Sequence, residues 1–297
     1  MVDRQFTHQN GLPPVLILPS PALTPPPPEP KWVSPEANHM YKKVQINDNM
    51  STMDRVVLFV AEFAGTAILV LIGCMGCANQ VADAKVSSEQ VALTFGLAVM
   101  ISVQIFGHIS GCHINPAVTV AAVTLGNIPL IQVPIFIIGQ MLGGLAGFGL
   151  IKAVTPIDLV KPKFNESVSL CSPSFNPTLT PIQAMLVEFL LSLMLVLVCC
   201  AIWDSRNDGN TDSLSIRLGL TVAGLAMAGG PYTGANINPA RSFGPALING
   251  DWDYQWVYWV GPLGAGFVGA LFYRMVFLGE AITTNETSPE VTAGSEK

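Results

Sequence analysis

Long apolar segments alternate with short polar ones along most of the chain beyond its first 52 residues. Six of the apolar segments come close to the roughly 20 residues that an α-helix needs to cross a bilayer. Two further segments, from Asn115 to about Leu125 and from Asn238 to about Ile248, are too short to span and are predicted to be half-helices. The six predicted spans are Val56–Met75, Gln90–Gly107, Ile131–Ile151, Ile182–Trp203, Leu214–Gly230 and Gln255–Leu278.

Both half-helices begin with the same tripeptide, Asn-Pro-Ala, and each tripeptide follows a Gly-x-x-Ile sequence. Asparagine is a favoured N-cap and proline is favoured at the first helical position, so both tripeptides predict the start of a helix. Arg241 lies one turn inside the second half-helix. A cation in such apolar surroundings is costly and indicates a functional residue. The two motifs are Asn115-Pro116-Ala117 and Asn238-Pro239-Ala240.

The two halves of the chain repeat one another. A Glu-Phe pair lies in the first span at Glu62 and in the fourth at Glu188, at nearly equal distances before the two motifs. Three spans in each half insert the second half upside down, which predicts an inverted repeat with one half-helix entering from each side. We expect Glu62 and Glu188 to accept hydrogen bonds from loop backbone rather than to relay protons, and His113 to be structural.

Two half-helices that meet at mid-membrane direct their N-termini at each other. Their unpaired N–H groups and dipoles would make the centre electropositive. The Asn115 and Asn238 amides could then donate hydrogen bonds to a passing oxygen atom. Such a centre admits water or a polyol and repels a proton or a cation.

Composition agrees with an integral membrane protein, since 50% of the residues are hydrophobic and only 11% are charged, with a mean hydropathy of +0.49. An ordinary soluble domain carries roughly 25% charged residues. The net charge of −6 gives no reason to expect a nucleic-acid partner. With four histidines and no nucleophile paired with a base, the sequence predicts neither an enzyme nor a bound cofactor or metal.

The chain has six cysteines, most of them in apolar segments, and we expect no extracellular disulfide framework. Cys74 and Cys77 have the spacing of a redox or metal pair. No second pair accompanies them, so the favoured interpretation is that both pack as small apolar side chains.

The chain divides into a disordered, Pro-rich tail at 1–52, a membrane domain at 53–279 and a second tail at 280–297. The repeats cover about 53–155 and 180–279. Pro25–Pro30 makes a Pro-binding domain a candidate partner, although a merely disordered tail is favoured. The distribution of Lys and Arg places both tails in the cytoplasm. Asn165, in the 154–180 loop, is then a candidate glycosylation site.

These motifs resemble those of the aquaporins, and the resemblance covers about residues 54–278. It implies an all-α membrane protein with the aquaporin hourglass fold, in which six transmembrane helices and two re-entrant half-helices form an inverted repeat. It also implies a pore in each monomer and a homotetramer, with the plasma membrane as the expected location. The matching segments are 95–97, 107–111, 113–119, 238–246 and 256–262.

In that family four positions narrow the pore near its outer mouth, and the resemblance places them at Phe95, Ala226, Ala235 and Arg241. Water-selective relatives typically carry histidine where Ala226 stands. A methyl group there widens the pore, which suits glycerol, and urea as a further candidate, besides water. The combination resembles the insect glycerol-conducting aquaporins, or entomoglyceroporins. Four other positions are instead typical of water channels: Ser242, Ala246, Tyr258 and Trp259.

Three alternatives stay open. The pore is water-selective if a neighbouring side chain, such as Phe95 in another rotamer, fills the gap beside Ala226. A proton- or sodium-coupled transporter also uses inverted repeats and broken helices. A structural or adhesive membrane protein with a closed pore would have the same motifs.

Overall fold

The computed structural model describes residues 46–78, 86–156, 169–207 and 212–278. Most of the predicted N-terminal tail, the C-terminal tail and the candidate glycosylation site Asn165 lie outside the described residues. The described ranges contain eight α-helices, which are α1 (Thr52–Met75), α2 (Ser88–Ser110), α3 (Pro116–Leu125), α4 (Val133–Val154), α5 (Pro181–Trp203), α6 (Leu214–Thr233), α7 (Pro239–Asn249) and α8 (Val257–Tyr273).

The predicted spans and half-helices are confirmed. Six helices of the described chain are long and apolar enough to cross a membrane, and their bounds lie within a few residues of the predicted ones. A 3-10 turn, Leu130–Gln132, extends α4 at its start, and a π-helical turn, Arg274–Leu278, extends α8 at its end. The two half-helices are α3 and α7, which have 10 and 11 residues.

Local sequence explains where the helices begin and end. Ser51 caps α1 by accepting a hydrogen bond from the backbone N–H of Asp54, whose carboxylate accepts one from the backbone N–H of Ser51. Thr180 and Gln183 form the same reciprocal pair at the start of α5. Such a capping box satisfies two of the backbone donors that a helix N-terminus leaves without an intrahelical partner.

Helix packing follows the inverted repeat. In the first repeat α1 packs on α4, and in the second α5 packs on α8. The corresponding helices α2 and α6 pack against each other between the repeats. Each half-helix packs chiefly on the last span of the other repeat, α3 on α8 and α7 on α4. The half-helices therefore tie the two repeats together.

Glycines allow the half-helices to approach these spans closely. A Cβ built on Gly144 of α4 would lie 2.4 Å from the carbonyl oxygen of Ala240 in α7. A Cβ on Gly266 of α8 would lie 2.4 Å from the carbonyl oxygen of Ala117 in α3. Apolar burial does not drive helix association within lipid, so stability there depends on such close packing of small residues.

We predict that Gly144→Ala destabilises the protein, because the new methyl group meets a backbone oxygen that cannot move aside. Overpacking of this kind costs about 1–3 kcal/mol of unfolding free energy. Thermal unfolding of the detergent-purified protein would show a lower midpoint. Gly224→Ala in α6 is the matched control, since a Cβ there has no other atom within 4 Å. Equal midpoints for the two variants would contradict the prediction.

Candidate functional site

A cavity of about 300 Å³ lies between the helices, and the two loops that carry the Asn-Pro-Ala motifs border it from residues 111 to 115 and from 234 to 238. Side chains of α1, α2, α5 and α6 complete its wall together with Val118 of α3 and Arg241 of α7, and the wall is mostly apolar. The polar groups of the wall are therefore concentrated where the loops and the half-helices begin.

The two motif asparagines hold each other's loop. Asn115 Nδ2 donates a hydrogen bond to the carbonyl oxygen of Ile237 at 2.8 Å, and Asn238 Nδ2 donates one to the carbonyl oxygen of Ile114 at 2.8 Å. Each side-chain oxygen caps its own half-helix, accepting from Ala117 N at 2.9 Å and from Ala240 N at 3.0 Å. The half-helices are thereby fixed with their N-termini towards each other.

Each asparagine keeps one donor for the cavity. A carboxamide nitrogen carries two hydrogens, and the opposite loop uses one of them. Asn115 and Asn238 both border the cavity, although each is only about 5% exposed. An oxygen atom passing between them would meet two N–H donors at the positive ends of two helix dipoles.

Glu62 holds the first loop in place from within α1. Its two carboxylate oxygens accept hydrogen bonds from the backbone N–H groups of His113 at 2.9 Å and Ile114 at 2.7 Å. Ser110 Oγ donates at 2.6 Å and Gln140 Nε2 at 2.8 Å. The carboxylate is fully buried, and four donors satisfy it.

Glu188 does the same for the second loop from within α5. It accepts from the backbone N–H groups of Asn236 at 3.0 Å and Ile237 at 2.7 Å, and from Thr233 Oγ1 at 2.6 Å. Like Glu62, it is fully buried. Both glutamates are used to hold backbone, and each contacts the loop of its own repeat.

The loops have a strained backbone in matching places. Four residues other than glycine have φ between 44° and 49°, a region that costs about 1–3 kcal/mol per residue and persists only where the surroundings enforce it. The glutamates and the asparagines contact these same loops and provide that enforcement. The four residues are Cys112, Ile114, Ala235 and Ile237.

His113 lies between aromatic rings beside the first loop. Its ring centroid is 4.7 Å from that of Phe136 and 5.6 Å from that of Trp203. Its Nδ1 is 3.2 Å from Thr119 Oγ1. At the matching place in the second repeat, Ser242 Oγ donates to Asn236 Oδ1 at 3.1 Å.

All four residues predicted for the narrow part of the pore border this one cavity: Phe95, Ala226, Ala235 and Arg241. The guanidinium carbon of Arg241 lies over the Phe95 ring, 4.9 Å from its centroid. Arg241 Nη1 donates to the carbonyl oxygen of Cys171 at 2.8 Å. The structure thus combines an aromatic face, two methyl groups and a fixed cation.

Two features beside these residues are not apparent from the sequence. Gly73 of α1 makes room for the Phe95 ring, since a Cβ there would lie 2.3 Å from a ring carbon. The expectation that Cys74 packs as an unbonded side chain is wrong, because it forms a disulfide with Cys171, 97 residues away. The spacing of Cys74 and Cys77 gives no indication of Cys171 as a partner, so only the folded position of the 169–180 segment reveals the bond.

Among the described residues no three His, Cys, Asp or Glu side chains are grouped as metal ligands. The polar groups around the cavity are hydrogen-bond donors and acceptors fixed in place. Their arrangement suits recognition of a small neutral molecule.

Known proteins resemble the chain in sequence and in fold. The family model described as "Major intrinsic protein" matches residues 49–273. Rat aquaporin-2 is 35% identical over 227 residues, which cover 76% of this chain and 81% of that protein. Mouse aquaporin-4 is 41% identical over 221 residues, which cover 73% of this chain and 66% of that protein.

A solved structure, that of the aquaglyceroporin from Plasmodium falciparum, aligns with a TM-score of 0.66 at 26% identity. The alignment covers 75% of this chain and 96% of the other. Sequence, fold and the paired motif loops agree. The chain therefore belongs to the major intrinsic protein family, the aquaporins, and is a multi-pass membrane channel rather than an enzyme.

Proposed function

We propose that the chain is a passive channel for water and small neutral solutes, with glycerol and also urea among them. The observation that carries the proposal is that four side chains border one cavity, where Ala226 and Ala235 offer only methyl groups and Phe95 and Arg241 offer an aromatic ring and a cation. We call these four residues the filter.

The filter suits a polyol for two reasons. A guanidinium presents several N–H donors to hydroxyl oxygens, while the ring and the methyl groups contact the carbon backbone. The Phe95 ring is packed between Gly73 and the Arg241 guanidinium, which opposes its turning into the space beside Ala226.

Exclusion of ions has a separate origin. A cation at the meeting point of α3 and α7 would face two positive helix ends and two amide donors, none of which accepts a hydrogen bond. Arg241 adds a fixed positive charge three residues into α7. Protons and cations are therefore repelled, while a neutral molecule exchanges hydrogen bonds from one donor to the next.

A strictly water-selective aquaporin is the second candidate function. Ser242, Ala246, Tyr258 and Trp259 are typical of water channels. Three of these four are fully buried, so they act on packing rather than on the permeant: Ser242, Ala246 and Tyr258. We therefore weigh the residues that border the cavity more heavily.

We further propose a homotetramer in the plasma membrane with both tails in the cytoplasm. The similarity of the chain to aquaporin-2 and aquaporin-4 motivates this proposal.

Two flux measurements separate the channel from the remaining alternatives. Passive flux is insensitive to a protonophore, which distinguishes the channel from a proton-coupled transporter. A structural protein with a closed pore would show no flux at all despite correct delivery to the membrane.

We predict that Ala226→His closes the pore to glycerol and spares water, because an imidazole narrows the filter and adds a polar wall. Glycerol permeability should fall by about tenfold, which corresponds to about 1.4 kcal/mol of added barrier. Paired measurements of osmotic water permeability and radiolabelled glycerol uptake in expressing cells, normalised to surface protein, provide the test.

Ala228→His serves as the control for that experiment. Ala228 lies two residues further along α6, is exposed and does not border the cavity, so both permeabilities should stay at the wild-type level. A wild-type protein that passes water and excludes both glycerol and urea would overturn the proposal in favour of the water-selective alternative.

We also predict that Gly73→Ala lowers glycerol flux more than water flux, because the new methyl group displaces the Phe95 ring towards the cavity. Replacing the ring as well, in Gly73→Ala/Phe95→Leu, should recover glycerol flux. The same paired assay applies, with Gly224→Ala as the control. Equal loss of both fluxes in the single variant, without recovery in the double one, would show a folding defect instead.

A further inference from the structure

Three sulfur atoms are grouped beside the filter. Cys74 lies in the last turn of α1, Cys77 follows that helix, and Cys171 lies in the segment before α5. Cys74 and Cys171 are joined, and the free thiol of Cys77 has its Sγ 3.9 Å from Cys171 Sγ. Cys171 therefore has one bonded partner, Cys74, and a second cysteine thiol, that of Cys77, within contact distance.

Cys171 contacts the filter directly. Its carbonyl oxygen accepts the 2.8 Å hydrogen bond from Arg241 Nη1, and its sulfur lies 3.4 Å from Arg241 Nη2. Its backbone has a φ of 60°, which a residue with a side chain adopts only under constraint. The position of the guanidinium thus depends on the position of one strained residue.

Two kinds of tether hold the segment that contains Cys171. Asn249 Nδ2, at the end of α7, donates to Leu170 O at 3.1 Å and to Ser172 Oγ at 2.9 Å. These bonds link the segment to the helix that carries Arg241. The second tether is the disulfide, which bonds Cys171 covalently to α1. The Phe95 ring packs against this same helix.

We propose that the Cys74–Cys171 disulfide is a positioning element of the filter, and that Cys77 is a second partner that can take the place of Cys74. The disulfide holds the Cys171 carbonyl where it fixes Arg241 above Phe95. The inference rests on the proposed role of Arg241 in the pore.

Exchange between the two pairings needs no external oxidant. The Cys77 thiolate attacks Cys171 Sγ, the Cys77–Cys171 bond forms as the Cys74–Cys171 bond breaks, and Cys74 leaves as a thiolate. The proton that Cys77 gave up goes to Cys74. One disulfide and one thiol are present before and after the step.

Exchange leaves Cys171 bonded to one of the two cysteines, whereas loss of both the Cys74–Cys171 and the Cys77–Cys171 bond leaves it with neither. Without a bond to α1, Cys171 no longer fixes the guanidinium, which swings on its three-carbon stem across the filter. A swinging guanidinium obstructs glycerol more than the smaller water molecule. Both permeabilities should fall, and the ratio of glycerol to water permeability should fall with them.

The test uses the full-length protein in liposomes with four sequences: wild type, Cys77→Ser, Cys74→Ser and Cys74→Ser/Cys77→Ser. Peptide mapping by mass spectrometry identifies the disulfide in each. We expect Cys74–Cys171 in wild type and in Cys77→Ser, both with equal water permeability. Treatment of Cys74→Ser with oxidised glutathione, which accepts the two electrons, should give Cys77–Cys171 and restore permeability towards the wild-type level.

The double variant should have a water permeability lower by about twofold or more, because the charge-assisted hydrogen bond that the guanidinium donates loses its fixed acceptor. A phosphine reductant should lower wild type to the same level and leave the double variant unchanged. Wild-type water permeability and an unchanged glycerol-to-water ratio in the double variant would overturn the inference.

A readout that needs no flux separates this inference from the proposed function. Phenylglyoxal modifies arginine, and its rate of reaction at Arg241 should rise in the double variant and in reduced wild type. A wild-type channel that excludes glycerol refutes the glycerol proposal only, since water permeability and the Arg241 reaction rate still decide the role of the disulfide. An unchanged reaction rate refutes the positioning role.

Discussion

The structure depends on one constraint, which is that non-helical backbone at membrane depth is tolerated only where it borders a cavity or where protein groups satisfy its N–H and C=O groups. Glu62 and Glu188 meet this constraint by accepting the N–H groups of their own loops, and the asparagines of the opposite repeat bond a carbonyl of each loop. A continuous helix satisfies its own backbone groups and would not need these contacts. Here they hold a strained backbone open beside a cavity, and they make the start of each half-helix depend on both repeats.

This arrangement separates two tasks of the channel. The features that we propose to repel cations at mid-membrane are repeated, since each repeat supplies one capped half-helix and one asparagine amide in equivalent places. The features that we propose to set the solute range are not repeated. The position that Arg241 occupies in the second repeat is Val118 in the first, and that of Ala235 is Cys112. We therefore expect that a change at the filter alters which molecules pass without disturbing the two helix ends.

Much of the fold was predictable because the signals are local. The length of an apolar segment distinguishes a span from a half-helix, and Asn-Pro at a helix start fixes where each half-helix begins. The assignment of the filter depended on spacing from those motifs, and its role stays a prediction. The Cys74–Cys171 bond and the space that Gly73 leaves for Phe95 were not predictable, since each depends on segments that only the fold brings together. A single cysteine far from its partner looks the same in sequence as one that packs alone.

A filter without an imidazole also changes what holds its arginine. With a methyl group at Ala226, no side chain from that position reaches the guanidinium, and the described contacts of the guanidinium are the Phe95 ring and Cys171. The filter that we propose thus gives a solute more room and leaves the guanidinium with fewer side chains to fix it. A covalent bond between the segment that carries the acceptor carbonyl and α1 compensates for this, because it fixes one contact of Arg241 to the helix that supports the other. We propose that the small side chain at position 226 and the Cys74–Cys171 bond act together, the first giving a solute room and the second fixing the guanidinium.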